Sequence, residues 1–201
     1  MKKELEPFIT RYSCRNFSNK TIKEEDLKEI LEIARLSPSS LGLEPWKFYV
    51  IQDKKKLEEI SLIANHQNHV KTAAALIIIT SRFDFDEYFE NKLKSRNMPK
   101  EEIEKRINTY KPFLDSLDEK QKIAYSREQA YIALTSILYA ANALKINSCT
   151  IGGFNQDKLN SYLNLNPKKE SATLIVALGI SNEEKIPTKS RFSFNEVVKF
   201  L

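Results

Sequence analysis

The stretch Gln129 to Leu144 runs for 16 residues without a charge. It is too short to cross a bilayer, which takes about 20 apolar residues. It is apolar nearly all round, so it describes a helix buried at the centre of a fold. Such a helix needs elements to cover it. Two apolar runs rich in β-branched residues, Ala74 to Thr80 (AALIIIT) and Thr173 to Ile180 (TLIVALGI), read as strands buried on both faces.

The remaining elements are placed by period and punctuation. Leu27, Ile30, Leu31 and Ala34 follow the helical repeat, with Arg35 on the opposite side, so a helix spans about 22 to 36. Thr21 and Glu24 have the spacing of a capping box at its start, and Pro38 stops it in a polar turn of serines. Trp46 to Ile51 (WKFYVI) and Ser148 to Phe154 (SCTIGGF) read as strands, the second ending in a double glycine. Asp53 and Asn155 are placed to cap short helices through Leu57, Ile60 and Ile63, and through Leu159 and Leu163. Residues 84–122 differ in kind: 19 of the 39 are charged, and sparse apolar residues sit at helical spacing. This is expected to be a peripheral helical excursion, with Pro99 in a first turn. No repeat or interdomain linker is evident, so residues 1–201 are read as one domain in which helices and strands form a sandwich around one core.

Composition narrows the function. Net charge is +5, but residues 82–128 carry 11 basic and 11 acidic side chains and no segment forms a basic stripe. Nucleic-acid binding, which needs clustered cations against phosphates, is not expected. Lys54-Lys55-Lys56 followed by Glu58-Glu59 reads as a solvated helix face. Cys14 and Cys149 have no metal-ligand spacing, and a reducing compartment is inferred. The charged start MKKELEPFIT lacks the apolar core of a secretory signal, and the longest purely apolar run is Ala73 to Ile79. The expectation is a soluble, cytoplasmic protein with no membrane partner.

Four motifs carry the chemical signal. Arg11-Tyr12-Ser13-Cys14-Arg15 offers two guanidiniums and a hydroxyl able to converge on one phosphate. Ser37-Pro38-Ser39-Ser40 is followed by Pro45-Trp46, the double-glycine strand is Ile151-Gly152-Gly153-Phe154, and Lys189-Ser190-Arg191 adds a cationic pair beyond the last buried strand. RYSxR, SPSS with PW, GGF and KSR, in this order from about residue 8 to 201, resemble the FMN-dependent nitroreductase family, most closely the oxygen-insensitive NAD(P)H nitroreductases.

The resemblance implies an α+β fold with a mixed or antiparallel sheet around the 129–144 helix. It also implies an obligate homodimer with two FMN sites at the subunit interface. Arg11, Ser13, Lys189 and Arg191 would surround the FMN phosphate, with Tyr12 between the first two. Arg15 would lie near flavin N1 and O2, where a fixed cation favours the anionic reduced ring. Asn65 would meet the pyrimidine edge, and a main-chain N–H of the Ile151-Gly152-Gly153 turn would meet N5. Pro38, Ser39 and Ser40 would contribute from the serine turn. No side chain is required as an acid or base, because hydride chemistry belongs to the flavin, and no metal is implied.

The sequence departs from the family pattern at four places. Gly152 replaces a common glutamate, Gly42 and Glu44 stand where an asparagine and a glutamine are usual, and Asn68 takes the position of a second basic residue near O2. Cys14 reads as a small packed residue. His66 and His69 share a helix face without a third ligand, and Tyr125, Tyr131 and Tyr139 read as core or interface aromatics. The activity implied is two-electron, ping-pong reduction of nitroaromatics, quinones or other small electron-poor acceptors by NAD(P)H. The alternatives are another reductase on this scaffold, acting on an enone, pteridine, flavin or haloaromatic, and a non-enzymatic flavin-binding dimer. Substrate choice would lie in the 84–122 excursion and around Phe113. The C-terminal EVVKFL suits a strand crossing to the partner's sheet.

Overall fold

The computed structural model describes residues 2–201. In chain order the elements are α1 (Glu6–Thr10), α2 (Glu24–Arg35), β1 (Trp46–Ile51), α3 (Lys54–Ile63), α4 (Asn68–Lys71), β2 (Ala75–Arg82), α5 (Phe85–Lys94), α6 (Lys100–Ser116), α7 (Glu119–Ala143), β3 (Asn147–Ile151), α8 (Gln156–Tyr162), β4 (Glu170–Gly179) and α9 (Phe194–Val197). The four strands form one sheet in the order β1-β2-β4-β3, with every neighbouring pair antiparallel. The fold is α+β, and the sheet is antiparallel throughout rather than mixed.

The period of two along β2 and β4 divides the interior into two layers. Leu76, Ile78, Ile175 and Ala177 face α3, α4 and α8, where they meet Leu57, Ile60, Val70 and Leu159. Ala75, Ile77, Ile79, Leu174, Val176 and Leu178 face α7 and α2, meeting Ala133, Ile137, Ala141, Leu27 and Ile30. Both faces are covered, which is why these strands lack polar alternation. A register shift between Ile79 and Thr80 marks a bulge in the β2–β4 ladder, and Ser81 and Thr173 pair their buried hydroxyls there at 2.6 Å.

The uncharged segment is the second half of a longer helix. A capping box, Asp118 with Gln121, starts α7 ten residues before Gln129. One face of α7 is buried through Gln129, Ala130, Ala133, Leu134, Ile137 and Ala141, whereas Tyr131 and Ile132 on the other are 48% and 38% exposed. The helix is central but not enclosed by this chain.

Asp53 and Asn155 cap α3 and α8 by accepting from Lys56 N and Lys158 N, each at 2.9 Å. Thr21 does not cap α2: Lys23 occupies that position without a side-chain hydrogen bond, and Glu24, Glu25 and Asp26 face the positive helix end instead. The double-glycine strand stops at Ile151. Within one chain Phe194–Val197 forms a helical turn closed by a Ser193–Glu196 capping box, and Val198 after it is extended. The excursion contains α5, α6 and the start of α7, around a third cluster in which Phe85, Phe89, Leu93 and Leu114 enclose Leu43 of the serine turn. Among the described residues no helix is long and apolar enough to cross a membrane.

The N-terminal segment lies along the end of the sheet, where Phe17 bridges Ser181 and its ring covers Gly179. A Cβ on Gly179 would come within 2.6 Å of Phe17 Cδ1. Gly179→Ala is expected to cost about 1–3 kcal/mol through overpacking. Urea unfolding checks this, and an unchanged midpoint would show that the Phe17 ring yields.

Candidate functional site

The first group of site residues lines the edge strand β3. Ser13 forms a parallel bridge with Ser148, and Cys14 N donates to Ser148 O at 3.0 Å, which ties the N-terminal motif to the start of β3. Asn142 on α7 donates to Pro7 O at 2.7 Å and Thr10 Oγ1 at 2.8 Å, fixing α1 so that Arg11 follows its last turn. Lys189 returns from the C-terminal segment to donate to Ile9 O. Its ammonium lies below the ordinary lysine range, first through desolvation and then through repulsion from Arg11 and Arg191. Three cations therefore share one locality, and among the described residues none has a carboxylate within 4.0 Å.

At the far end of β3 the double glycine is held by two amides. Asn65 Nδ2 and Gln67 Nε2 donate to Gly153 O at 3.1 and 2.8 Å. The chain reaches this point because Asn65 and His66 are both left-handed, at φ 57°, so the segment turns sharply as α3 ends. Between the two ends, Arg15 is exposed and its backbone N–H donates to Glu183 at 2.8 Å. Burial, and then the Arg15 charge, pull the imidazole of His69 below its ordinary pKa. From Ser148 to Gly153 the strip spans about 17 Å at roughly 3.3 Å per residue. It has a cationic end and an amide-rich end.

The second group is the serine turn, which lies beside the first half of α7. Ser37 Oγ donates to Ser136 Oγ at 2.7 Å, Ser40 N donates to Gln129 Oε1 at 2.8 Å, and Tyr125 OH donates to Ser40 Oγ. Ser39 Oγ accepts from Glu44 N at 2.8 Å. Gln129 and Asn142, which anchor the two groups, are separated by about 20 Å along α7 at 1.5 Å per residue. Among the described residues no hydrogen bond joins the two groups.

The other expected site residues differ in burial and exposure. The Tyr12 ring is buried and its hydroxyl donates to Ser181 Oγ at 2.8 Å; burial raises the phenol's pKa and keeps it a donor. Ile151 is buried in the layer facing α3 and α8. Pro38 is exposed beside Ser39, and Asn68 is exposed at the start of α4. Gly152 is open: a side chain there would meet nothing within 4 Å. Cys14 is fully buried, and burial raises the Cys149 thiol above its ordinary range, so both are packed residues. Among the described residues no group of three or more His, Cys, Asp or Glu could hold a metal.

Gln67, Tyr125 and Gln129 organise these groups and are missed by motif reading. Gln129 does carry a signal, because it is a large amide on a helix face otherwise made of small and aliphatic residues. A buried amide needs a partner.

The chain matches the family model described as the Nitroreductase family over residues 9–180. It is 32% identical over 212 aligned residues to a Haemophilus influenzae protein named "Putative NAD(P)H nitroreductase", covering 98% of this chain and 96% of that one. Its fold superposes with a TM-score of 0.88 on a nitroreductase-type protein from Exiguobacterium sibiricum solved in complex with FMN, at 20% identity and covering 100% and 98% of the two chains. It superposes with a TM-score of 0.87 on the enone reductase CLA-ER of gut-bacterial fatty acid saturation metabolism, at 19% identity and covering 100% and 99%.

Proposed function

The chain belongs to the nitroreductase family, and from that premise we propose that it is an FMN-dependent oxidoreductase that uses NAD(P)H to reduce small electron-poor acceptors such as nitroaromatics and quinones. The observation that carries this reading is the meeting of Arg11, Lys189 and Arg191 without an anionic partner. The cluster suits a phosphate dianion, which would accept charge-assisted hydrogen bonds from several cations at once. A single terminal phosphate fits FMN rather than a dinucleotide, and the chain has no GxGxxG fingerprint.

The other residues fit the rest of the cofactor. Arg15 stands along the strip where the N1 and O2 edge would lie, Asn65 is at the pyrimidine end, and the Gly152-Gly153 backbone is at the end of β3, where N5 would lie. The absence of side chains there lets the main chain approach closely. FMN, when bound, supplies two-electron transfer in a ping-pong cycle, with hydride accepted from NAD(P)H and then delivered to the acceptor. The chain orients both partners over this strip and supplies fixed positive charge at one edge of the ring. Phe113, 45% exposed, packs edge-on against Tyr125 at 5.6 Å, so the excursion reaches Ser40 and is positioned to select the acceptor.

The separation of the two groups within one chain supports a homodimer, with the serine turn of one copy facing the β3 strip of its partner. The copies have apolar surface to bury. A cleft of about 590 Å³ between α1, α2 and α7 is lined by Phe8, Ile33, Tyr139 and Leu144. The C-terminal segment exposes Phe192, Phe194, Val197 and Phe200. Deleting Asn195 to Leu201 is expected to weaken the dimer. Light scattering at micromolar concentration checks this, and an unchanged mass would remove the C-terminal segment from the interface.

Purified protein should be yellow with FMN and should bleach on anaerobic addition of NADPH or NADH. A colourless chain that ignores added FMN would overturn the reading, and a yellow one that resists bleaching would favour a flavin carrier. The arginines should fail differently. Arg191→Ala should weaken retention of oxidised and reduced flavin alike. Arg15→Ala should lower the midpoint potential by about 30 mV for each ~1.4 kcal/mol of lost differential stabilisation. Spectroelectrochemical titration separates them, and a larger downward shift in Arg191→Ala would reverse the two assignments.

A further inference from the structure

The serine turn continues into a segment whose backbone is unfavourable on its own. Leu41, Gly42 and Glu44 are left-handed, with φ of 58°, 61° and 44°. For the two residues with a Cβ this conformation costs about 1–2 kcal/mol each. The conformation persists only if neighbouring groups hold it.

Helix α5 of the excursion supplies the hold. Lys92 Nζ donates to Gly42 O at 2.9 Å and Leu43 O at 2.8 Å and stands 3.0 Å from Glu44 Oε2. Arg96 Nη2 donates to Glu44 Oε1 at 2.6 Å and Tyr88 OH donates to Glu44 O at 3.0 Å. Three consecutive carbonyls and one carboxylate of the turn are thus bonded to one helix. Leu43 is fully buried against Phe85, Phe89 and Leu93 of the same helix. The Lys92 side chain is only 14% exposed. Desolvation draws its ammonium below the ordinary lysine range, partly offset by Glu44. The link to the site is direct, because Glu44 N donates to Ser39 Oγ.

We propose that Lys92 of α5, Arg96 just beyond the end of α5, and Glu44 are positioning residues that hold the Ser39–Ser40 turn in the conformation that receives the cofactor. The excursion is then part of the binding apparatus rather than an appendage. This rests on the FMN reading above.

The test is FMN binding by the full chain, followed by quenching of flavin fluorescence, with melting of the FMN-free chain measured in parallel. Lys92→Met removes the donors and should raise the FMN Kd about tenfold, a loss near 1.4 kcal/mol. Lys92→Arg keeps a cation and should stay within about threefold of the wild type. A role in packing alone would lower the melting temperature in Lys92→Met while leaving Kd within twofold, and that result overturns the proposal. Failure of Lys92→Arg to bind better than Lys92→Met overturns it as well. Should Lys92→Met not fold, Arg96→Met, which removes the guanidinium from Glu44, decides, and a Kd equal to the wild type is contrary to the proposal. A wild-type chain that binds no FMN fails the functional reading itself, and is told apart from these outcomes by the wild-type titration.

Discussion

The contact on which the rest of the molecule depends is that of α7 with the sheet face formed by Ile77, Ile79, Leu174 and Val176. The helix contributes Ala130, Ala133 and Ala141 with Leu134 and Ile137, so small residues let its backbone come close while the larger ones fill the space between. Each buried aliphatic side chain is worth about 1.5–3 kcal/mol in area removed from water. The same helix carries the anchors of both site groups: Tyr125, Gln129 and Ser136 toward the serine turn, and Asn142 toward α1. Core packing thereby sets site geometry. A shift of α7 would move both groups together.

The cations of the molecule fall into two kinds. Lys92 and Arg96 are committed to Glu44 and to carbonyls, as Lys47 is to the buried Glu170 at 2.8 Å, and each pair stiffens a particular junction. Arg11, Lys189 and Arg191 oppose one another instead. Desolvation first, and then repulsion from Arg11 and Arg191, draws the Lys189 ammonium below the ordinary lysine range. A fold selected for stability alone would place a carboxylate among them. Their arrangement leaves cations without carboxylate partners at one place, where an anionic ligand would be accommodated.

Much of the fold was legible in the sequence because its strands are buried on both faces. Ala75–Arg82 and Glu170–Gly179 stand out as apolar, β-branched runs whatever their surroundings. Asp53 and Asn155 were legible because a cap is a local interaction. Thr21 was misread for a related reason: the spacing to Glu24 is right, but the chain enters α2 two residues later. The C-terminal EVVKFL has no strand neighbour within the chain, where residues 194–201 are exposed, and Ser193 with Glu196 winds one turn before Val198 becomes extended. In the site, Arg11, Lys189, Asn65 and Gly153 could be grouped by motif. Gln67, Gln129 and Ser181 could not, since they are tied to Gly153, Ser40 and Tyr12 respectively by folding over long sequence separations.

Gly42 and Glu44 show how a residue that reads as a loss can belong to a replacement. A neutral amide at position 44 could hydrogen-bond without a charged partner, whereas a carboxylate near a site built to hold an anion would repel it. Here Arg96 and Lys92 stand at 2.6 and 3.0 Å from that carboxylate, so its charge is neutralised where it stands. Gly42 removes a side chain from the same junction, and a Cβ there would lie 3.6 Å from Arg96 Nη1 on a backbone at φ +61°. The space could be filled, but the conformation would be strained. Glycine relieves the turn, the carboxylate draws in two cations, and those cations hold the carbonyls that the turn leaves open. The three features occur together, so the turn at Gly42 to Glu44 leans on Lys92 of α5 and on Arg96 just beyond it.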